Sequence, residues 1–108
     1  TMTFGTEGTG RGQFSEQPGG MVIDGKGRLF VDQGPMRDPA APGVLVFDPD
    51  GRYVTGFGSK GPGPNQLRWP SGMLLDKGTL YVNDGSRLQD PTLTSYLYAF
   101  RLLPPLAP

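Results

Sequence analysis

The side chains able to do chemistry are few. Histidine and cysteine are both absent. Ser15, Ser59, Ser71, Ser86 and Ser95 therefore have no imidazole to activate them, and the chain can hold no thiolate nucleophile, thiolate metal site or disulfide. Carboxylates remain. Asp24 and Asp76 end two similar apolar runs, and Asp32, Asn83 and Asp84 end the two that follow. Oxygen ligands of this kind suit a hard cation, and Asp24 with Asp76 would take Ca²⁺ if a ring brought them to one channel mouth. The commoner use of such aspartates is to cap turns by accepting backbone N–H bonds. Glu7 and Glu16 are the only glutamates.

The glycine loops Gly5 to Gly12 and Gly58 to Gly63 invite comparison with phosphate cradles. A cradle needs a helix N-terminus and usually a Lys-Ser/Thr pair, and no helical period follows either loop. Ten basic residues balance ten acidic ones with the signs interspersed, which gives no stripe for a nucleic-acid backbone or an anionic membrane. No apolar run approaches the ~20 residues of a membrane span, and Thr1-Met2-Thr3 lacks the basic and apolar regions of a signal peptide. A usage with Arg above Lys and rich in Gly and Pro permits an extracytoplasmic or periplasmic setting and leaves the compartment unassigned.

What must position these residues is a repeat. Thr3 to Asp24 (TFGTEGTGRGQFSEQPGGMVID) and Gly56 to Asp76 (GFGSKGPGPNQLRWPSGMLLD) are two versions of one pattern. Phe4-Gly5 matches Phe57-Gly58, Gln13-Phe14 matches Gln66-Leu67, Pro18 matches Pro70, and Gly20 to Asp24 matches Gly72 to Asp76. The 18 glycines and 12 prolines fall in register between apolar runs, so they read as turns rather than as low complexity. Met21 to Asp24, Arg28 to Asp32, Val44 to Asp48 and Arg52 to Phe57 read as four successive strands. Gly25 to Gly27 and Pro49 to Gly51 make the hairpin turns between them, and the proline-rich segment 33–43 makes a loop. The second unit repeats this through Leu80 to Asn83 and Tyr96 to Phe100. It stops where Pro104, Pro105 and Pro108 exclude a regular fourth strand.

Four-stranded units of roughly 40–50 residues are the signature of propeller blades. The residues resemble the NHL-repeat and related six-bladed β-propeller families, whose blades run G-x-G-x-G-Q-F, P-x-G-hydrophobic-D, G-x-L-[YF]-V-x-D and V-x-V-F-D-x-D-G. Gly8 to Phe14, Pro18 to Asp24, Gly27 to Asp32 and Val44 to Gly51 fit one blade. Gly61 to Leu67, Pro70 to Asp76, Gly78 to Asp84 and Tyr96 to Phe100 fit the next. The resemblance implies an all-β chain of two four-stranded antiparallel blades, an incomplete propeller completed by oligomerisation or by a partner. The blades are about 1–56 and 57–103, with 1–5 as a spare outer strand and 104–108 as a proline-rich tail. Both loops after the second strands are longer than the pattern, and without histidine the zinc- and histidine-dependent NHL lyases do not match.

Function is expected at two places. The long connections fall on one end of the blades, which carries Arg37, Lys60, Asn65, Arg68, Trp69 and Arg87, residue types that anchor protein interfaces. The strand edges are the other: Met2, Thr3 and Phe4 of one chain would pair with Tyr96, Leu97 and Tyr98 of the next, and three chains would close six blades. The expectation is a non-enzymatic interaction or assembly module that binds protein and neither nucleic acid nor any cofactor. The alternatives are an accessory subunit of a bacterial membrane or extracytoplasmic complex, and a metal-dependent lactonase-like propeller.

Overall fold

The structure is a computed structural model that describes residues 12–13, 18–33, 40–61, 66–67, 70–84, 96–104 and 106–107. Every element among them is a strand. They are β1 (Pro18–Ile23), β2 (Leu29–Gln33), β3 (Pro42–Phe47), β4 (Tyr53–Ser59), β5 (Pro70–Asp76), β6 (Thr79–Asp84) and β7 (Tyr96–Arg101). The strands form one four-stranded sheet in the order β1-β2-β3-β4 and one three-stranded sheet in the order β5-β6-β7, and all pairs are antiparallel. No helix long and apolar enough to cross a membrane occurs among the described residues.

The register of the sheets reproduces the sequence repeat residue by residue. Met21 pairs with Val31, Val22 with Phe30 and Ile23 with Leu29. Their counterparts Met73, Leu74 and Leu75 pair with Val82, Tyr81 and Leu80. Phe30 opposite Val46 corresponds to Tyr81 opposite Ala99. Even the irregularity recurs, because the ladder shifts between Pro18 and Met21 and again between Pro70 and Met73. Proline cannot donate to a ladder, so a Pro-x-Gly start on both inner strands carries the same bulge.

Two turns share one chemistry. In Asp24 to Arg28 and in Asp48 to Arg52, the first aspartate accepts backbone N–H bonds at its Oδ1 from the residues two and four positions on, all at 2.9 Å. Gly27 and Gly51 close these turns with φ of 80° and 84°, a left-handed conformation that a β-carbon disfavours. The third turn is shortened to Lys77-Gly78, both at positive φ, the pairing that two-residue hairpins favour.

The two sheets pack face to face. Phe30, Val44 and Val46 of the first and Leu80 and Val82 of the second are buried in one cluster, completed by Leu67, Leu102 and Leu106. Val22 and Phe57 lean on it from the first sheet, and Met73, Leu75, Tyr98 and Phe100 from the second. Phe57 and Phe100 meet with ring centroids 5.3 Å apart. Each fully buried side chain of this size contributes roughly 1.5–3 kcal/mol. The connection between the sheets is tied down at its start, where the Leu67 N–H donates to the Ser59 carbonyl at 2.9 Å and the Gly61 N–H donates to that of Leu67 at 3.1 Å. A second, smaller cluster of Val31, Leu45 and Phe47 lies on the opposite face of the first sheet.

Residues beyond β7 join the core. The Leu102 N–H donates to the Gly78 carbonyl at 2.8 Å, and Leu106 is buried between the sheets. Arg28 holds this segment: its Nη2 donates to the carbonyls of Leu106 (2.8 Å) and Ala107 (2.9 Å) while its Nε donates to Asp24 Oδ2 at 2.6 Å. Burial pushes the Asp24 carboxyl up, but hydrogen bonds from the Arg28 backbone and side chain and from the Lys26 N–H overcome this and hold it below the ordinary carboxylate value.

Arg28→Ala strands a largely buried carboxylate and two carbonyls and is expected to cost about 3 kcal/mol, measured by urea unfolding at neutral pH. Arg28→Lys recovers only part, because one ammonium cannot reach both the carboxylate and the tail. Since the Asp24 pKa is lowered in the fold, its contribution is present above the unfolded value of ~3.9 and is lost as pH falls through the folded one. The gap between wild type and Arg28→Ala should therefore narrow in acid.

Candidate interaction surfaces

Strand alternation sends every second side chain outward, and several of the outward side chains are large and apolar. On the first sheet Met21 and Ile23 are exposed by 67% and 66%. On the second, Leu74 and Leu97 are exposed by 63% and 70%. Leu74 and Leu97 belong to a groove of about 440 Å³ lined by Gly72, Met73, Leu74, Tyr81, Asn83 and Leu97.

The outer edges of the sheets differ in one respect. In the first sheet β4 pairs with β3 through Val44 to Phe57, Leu45 to Gly56 and Val46 to Thr55. In the second, β7 takes the place of β3, and among the described residues no strand pairs with its far side. Leu97 lies on this edge strand and is exposed, whereas Tyr98 points into the core between the sheets. Met2, Thr3 and Phe4, and the side chain of Tyr96, lie outside what is described.

Of the cations and aromatics expected on the long-loop end, only Lys60 is described. It is exposed beside the crossing between the sheets, where its carbonyl accepts from Gln66 Nε2 at 3.3 Å. Arg37, Asn65, Arg68, Trp69 and Arg87 lie outside the described residues. The two carboxylates singled out as cation ligands have separate surroundings. Asp24 is engaged by the Lys26 and Arg28 N–H groups and the Arg28 guanidinium, and Asp76 is exposed at the end of β5. Among the described residues no group of three or more acidic side chains could hold a metal ion.

A buried carboxylate stands out instead. Asp32 is fully buried; its Oδ1 accepts from the Gly20 N–H at 2.8 Å, and its Oδ2 has no hydrogen-bond partner among the described residues. A β-carbon at Gly19 would lie 2.6 Å from Oδ1, and one at Gly20 would lie 3.0 Å from Oδ2, so the glycine pair in β1 makes room for this carboxyl. Burial raises its pKa above the ordinary carboxylate value, and the single Gly20 hydrogen bond only partly offsets that. The aligned residue in the second sheet is Asn83, which is exposed. Gln33 beside it is also buried, with its Nε2 donating to the Pro42 carbonyl at 2.6 Å.

The Arg28 clamp and the Asp32 burial are the two polar arrangements that sequence reasoning overlooked. The shared Asp-x-x-Gly-Arg spacing of 24–28 and 48–52 signals the turns, though not the clamp, which needs the tail. No protein-family model matches the chain, and no curated protein matches it significantly.

Asp32→Asn keeps an acceptor for the Gly20 N–H and removes the charge. A raised folded pKa means that Asp32 favours the fold below the unfolded value of ~3.9 and that this advantage is lost as pH rises through the folded pKa. Relative to wild type, Asp32→Asn should therefore gain stability as pH rises from about 3 and level off once Asp32 is fully ionised. Urea midpoints over that pH range test this, and a difference independent of pH would refute it.

Proposed function

We propose that the chain is a non-enzymatic interaction and assembly module supplying two blades of an incomplete β-propeller, completed by added polypeptide. The observation that carries this reading is the outer edge of β7. The first sheet fills the equivalent edge with β4, among the described residues no strand pairs with the far side of β7, and a sheet edge beside apolar side chains recruits another strand. The strand that fits is in the chain's own sequence, because Thr1 to Gly5 repeats Val54 to Gly58.

The repeat also sets the register. Val44 pairs with Phe57, Leu45 with Gly56 and Val46 with Thr55. Carried through the repeat, these become Leu97 with Phe4, Tyr98 with Thr3 and Ala99 with Met2 of a neighbouring chain. Contacts with other proteins would then be made by the long-loop end, where Lys60 stands exposed. Ligand chemistry contributes little to this reading, since the chain lacks histidine and cysteine and Asp24 is engaged within its own turn.

The native chain has no cysteine, so engineered pairs report without interference. A chain carrying Met2→Cys mixed with one carrying Ala99→Cys should form a disulfide-linked heterodimer under mild oxidation. Met2→Cys mixed with Leu97→Cys, two residues out of register, should yield far less. Equal yields from the two mixtures would show that β7 does not accept this strand in this register.

A further inference from the structure

The open groove on the second sheet is a copy of one that is already filled. Five of its six lining residues, Gly72, Leu74, Tyr81, Asn83 and Leu97, are the repeat counterparts of Gly20, Val22, Phe30, Asp32 and Val44. In the first sheet Val22, Phe30 and Val44 pack into the core shared with the second, and Asp32 is fully buried beside Gly20. The strand that meets them is β5. A β-carbon at Gly20 would lie 3.5 Å from the Gly72 Cα, so the two inner strands come together at their glycines. Met73 and Leu75, one and three residues on, then pack into the shared core.

The copy is in the opposite state. Among the described residues nothing lies within 4 Å of a β-carbon placed at Gly72, and Leu74, Leu97 and Asn83 are exposed. Its chemistry is nevertheless preserved: the apolar positions stay apolar, Phe30 becomes Tyr81, and the buried carboxyl of Asp32 becomes the amide of Asn83. We infer that this groove seats an inner β-strand of the same kind as β5, whichever polypeptide carries it. Its glycine lies against Gly72, and its apolar side chains one and three residues later cover Leu74, Tyr81 and Leu97. Glycine is required at the point where one strand's backbone approaches another's. The inference rests on the incomplete-propeller reading above and names the occupant of the open face, a contact separate from the β7 edge.

The probe is a synthetic peptide of residues 70–84, PSGMLLDKGTLYVND, which carries β5 with its own hairpin partner. Added to the isotope-labelled 108-residue chain, it should give saturable NMR shifts at Gly72, Tyr81, Asn83 and Leu97. Leu74→Glu and Leu97→Glu in the labelled chain alter exposed side chains, so both should keep the wild-type unfolding midpoint and lose the binding. The peptide carrying Gly72→Val should bind about tenfold more weakly, because the added side chain must be accommodated against backbone. A scrambled peptide of the same composition should give no shifts. Three results would each overturn the inference: no binding, equal binding of the scrambled peptide, or shifts centred on Val22, Phe30 and Val44, where the peptide would be displacing β5 from its own seat. The engineered disulfides read the β7 edge and these shifts read the sheet face, so either reading can fail alone.

Discussion

The constraint on which the structure depends is that its first sheet is apolar on both faces. A sheet in water can leave one face polar, and most antiparallel sheets do. Here alternation brings Phe30, Val44 and Val46 to one face of the first sheet and Val31, Leu45 and Phe47 to the other. Packing the sheets against each other satisfies one face of each. Leu67, from the connection between the sheets, and Leu102 and Leu106, from beyond the last strand, fill what remains of that shared core. On the faces turned away, Val31, Leu45 and Phe47 are buried, whereas Met21, Ile23, Leu74 and Leu97 stand in water.

Among the described residues, polar side chains fix geometry. Asp24 and Asp48 each gather N–H groups from their own turn, which sets the strands at the separation that the ladders require. Asp24 goes further by fixing the Arg28 guanidinium, which then reaches across to the carbonyls of Leu106 and Ala107. One charged pair thus joins a local hairpin to a segment 78 residues away in sequence, and it covers the end of the core with the tail it holds. Asp32 pulls the other way, because a buried carboxyl with one hydrogen bond favours its neutral form.

Much of the fold was legible because the sequence says it twice. A single apolar run such as Met21 to Ile23 is ambiguous; its match to Met73 to Leu75, with Pro and Gly at fixed distances before both, identifies strands, their register and a shared bulge. The turns were legible from Gly27 and Gly51, whose positive φ the sequence anticipates. Features present once were not. Nothing marks Leu106 as a core residue within a proline-rich run, and Arg28 reads as a strand's first residue until the tail comes into contact. The burial of Asp32 escaped notice because its counterpart Asn83 is exposed: here the two units part company, and the repeat has no power to predict. For the site, the repeat marks Tyr96 to Phe100 as a strand, and Leu97 lies exposed within it, whereas the groove needed the sheets' relative placement, which is a tertiary fact.

The same repetition bears on how an assembly would be shaped. If the contact between chains copies the contact within a chain, one rotation relates every sheet to the next, whether or not a peptide links them. The crossing that ends at Leu67 holds that rotation within each chain through two backbone hydrogen bonds and a fully buried side chain. In such an assembly that built-in angle would decide closure, and a joining copy would need little rearrangement before binding. An interface pre-organised in this way loses less conformational freedom on association. That makes a heterologous contact between modest apolar patches physically reasonable, provided the last copy meets the first.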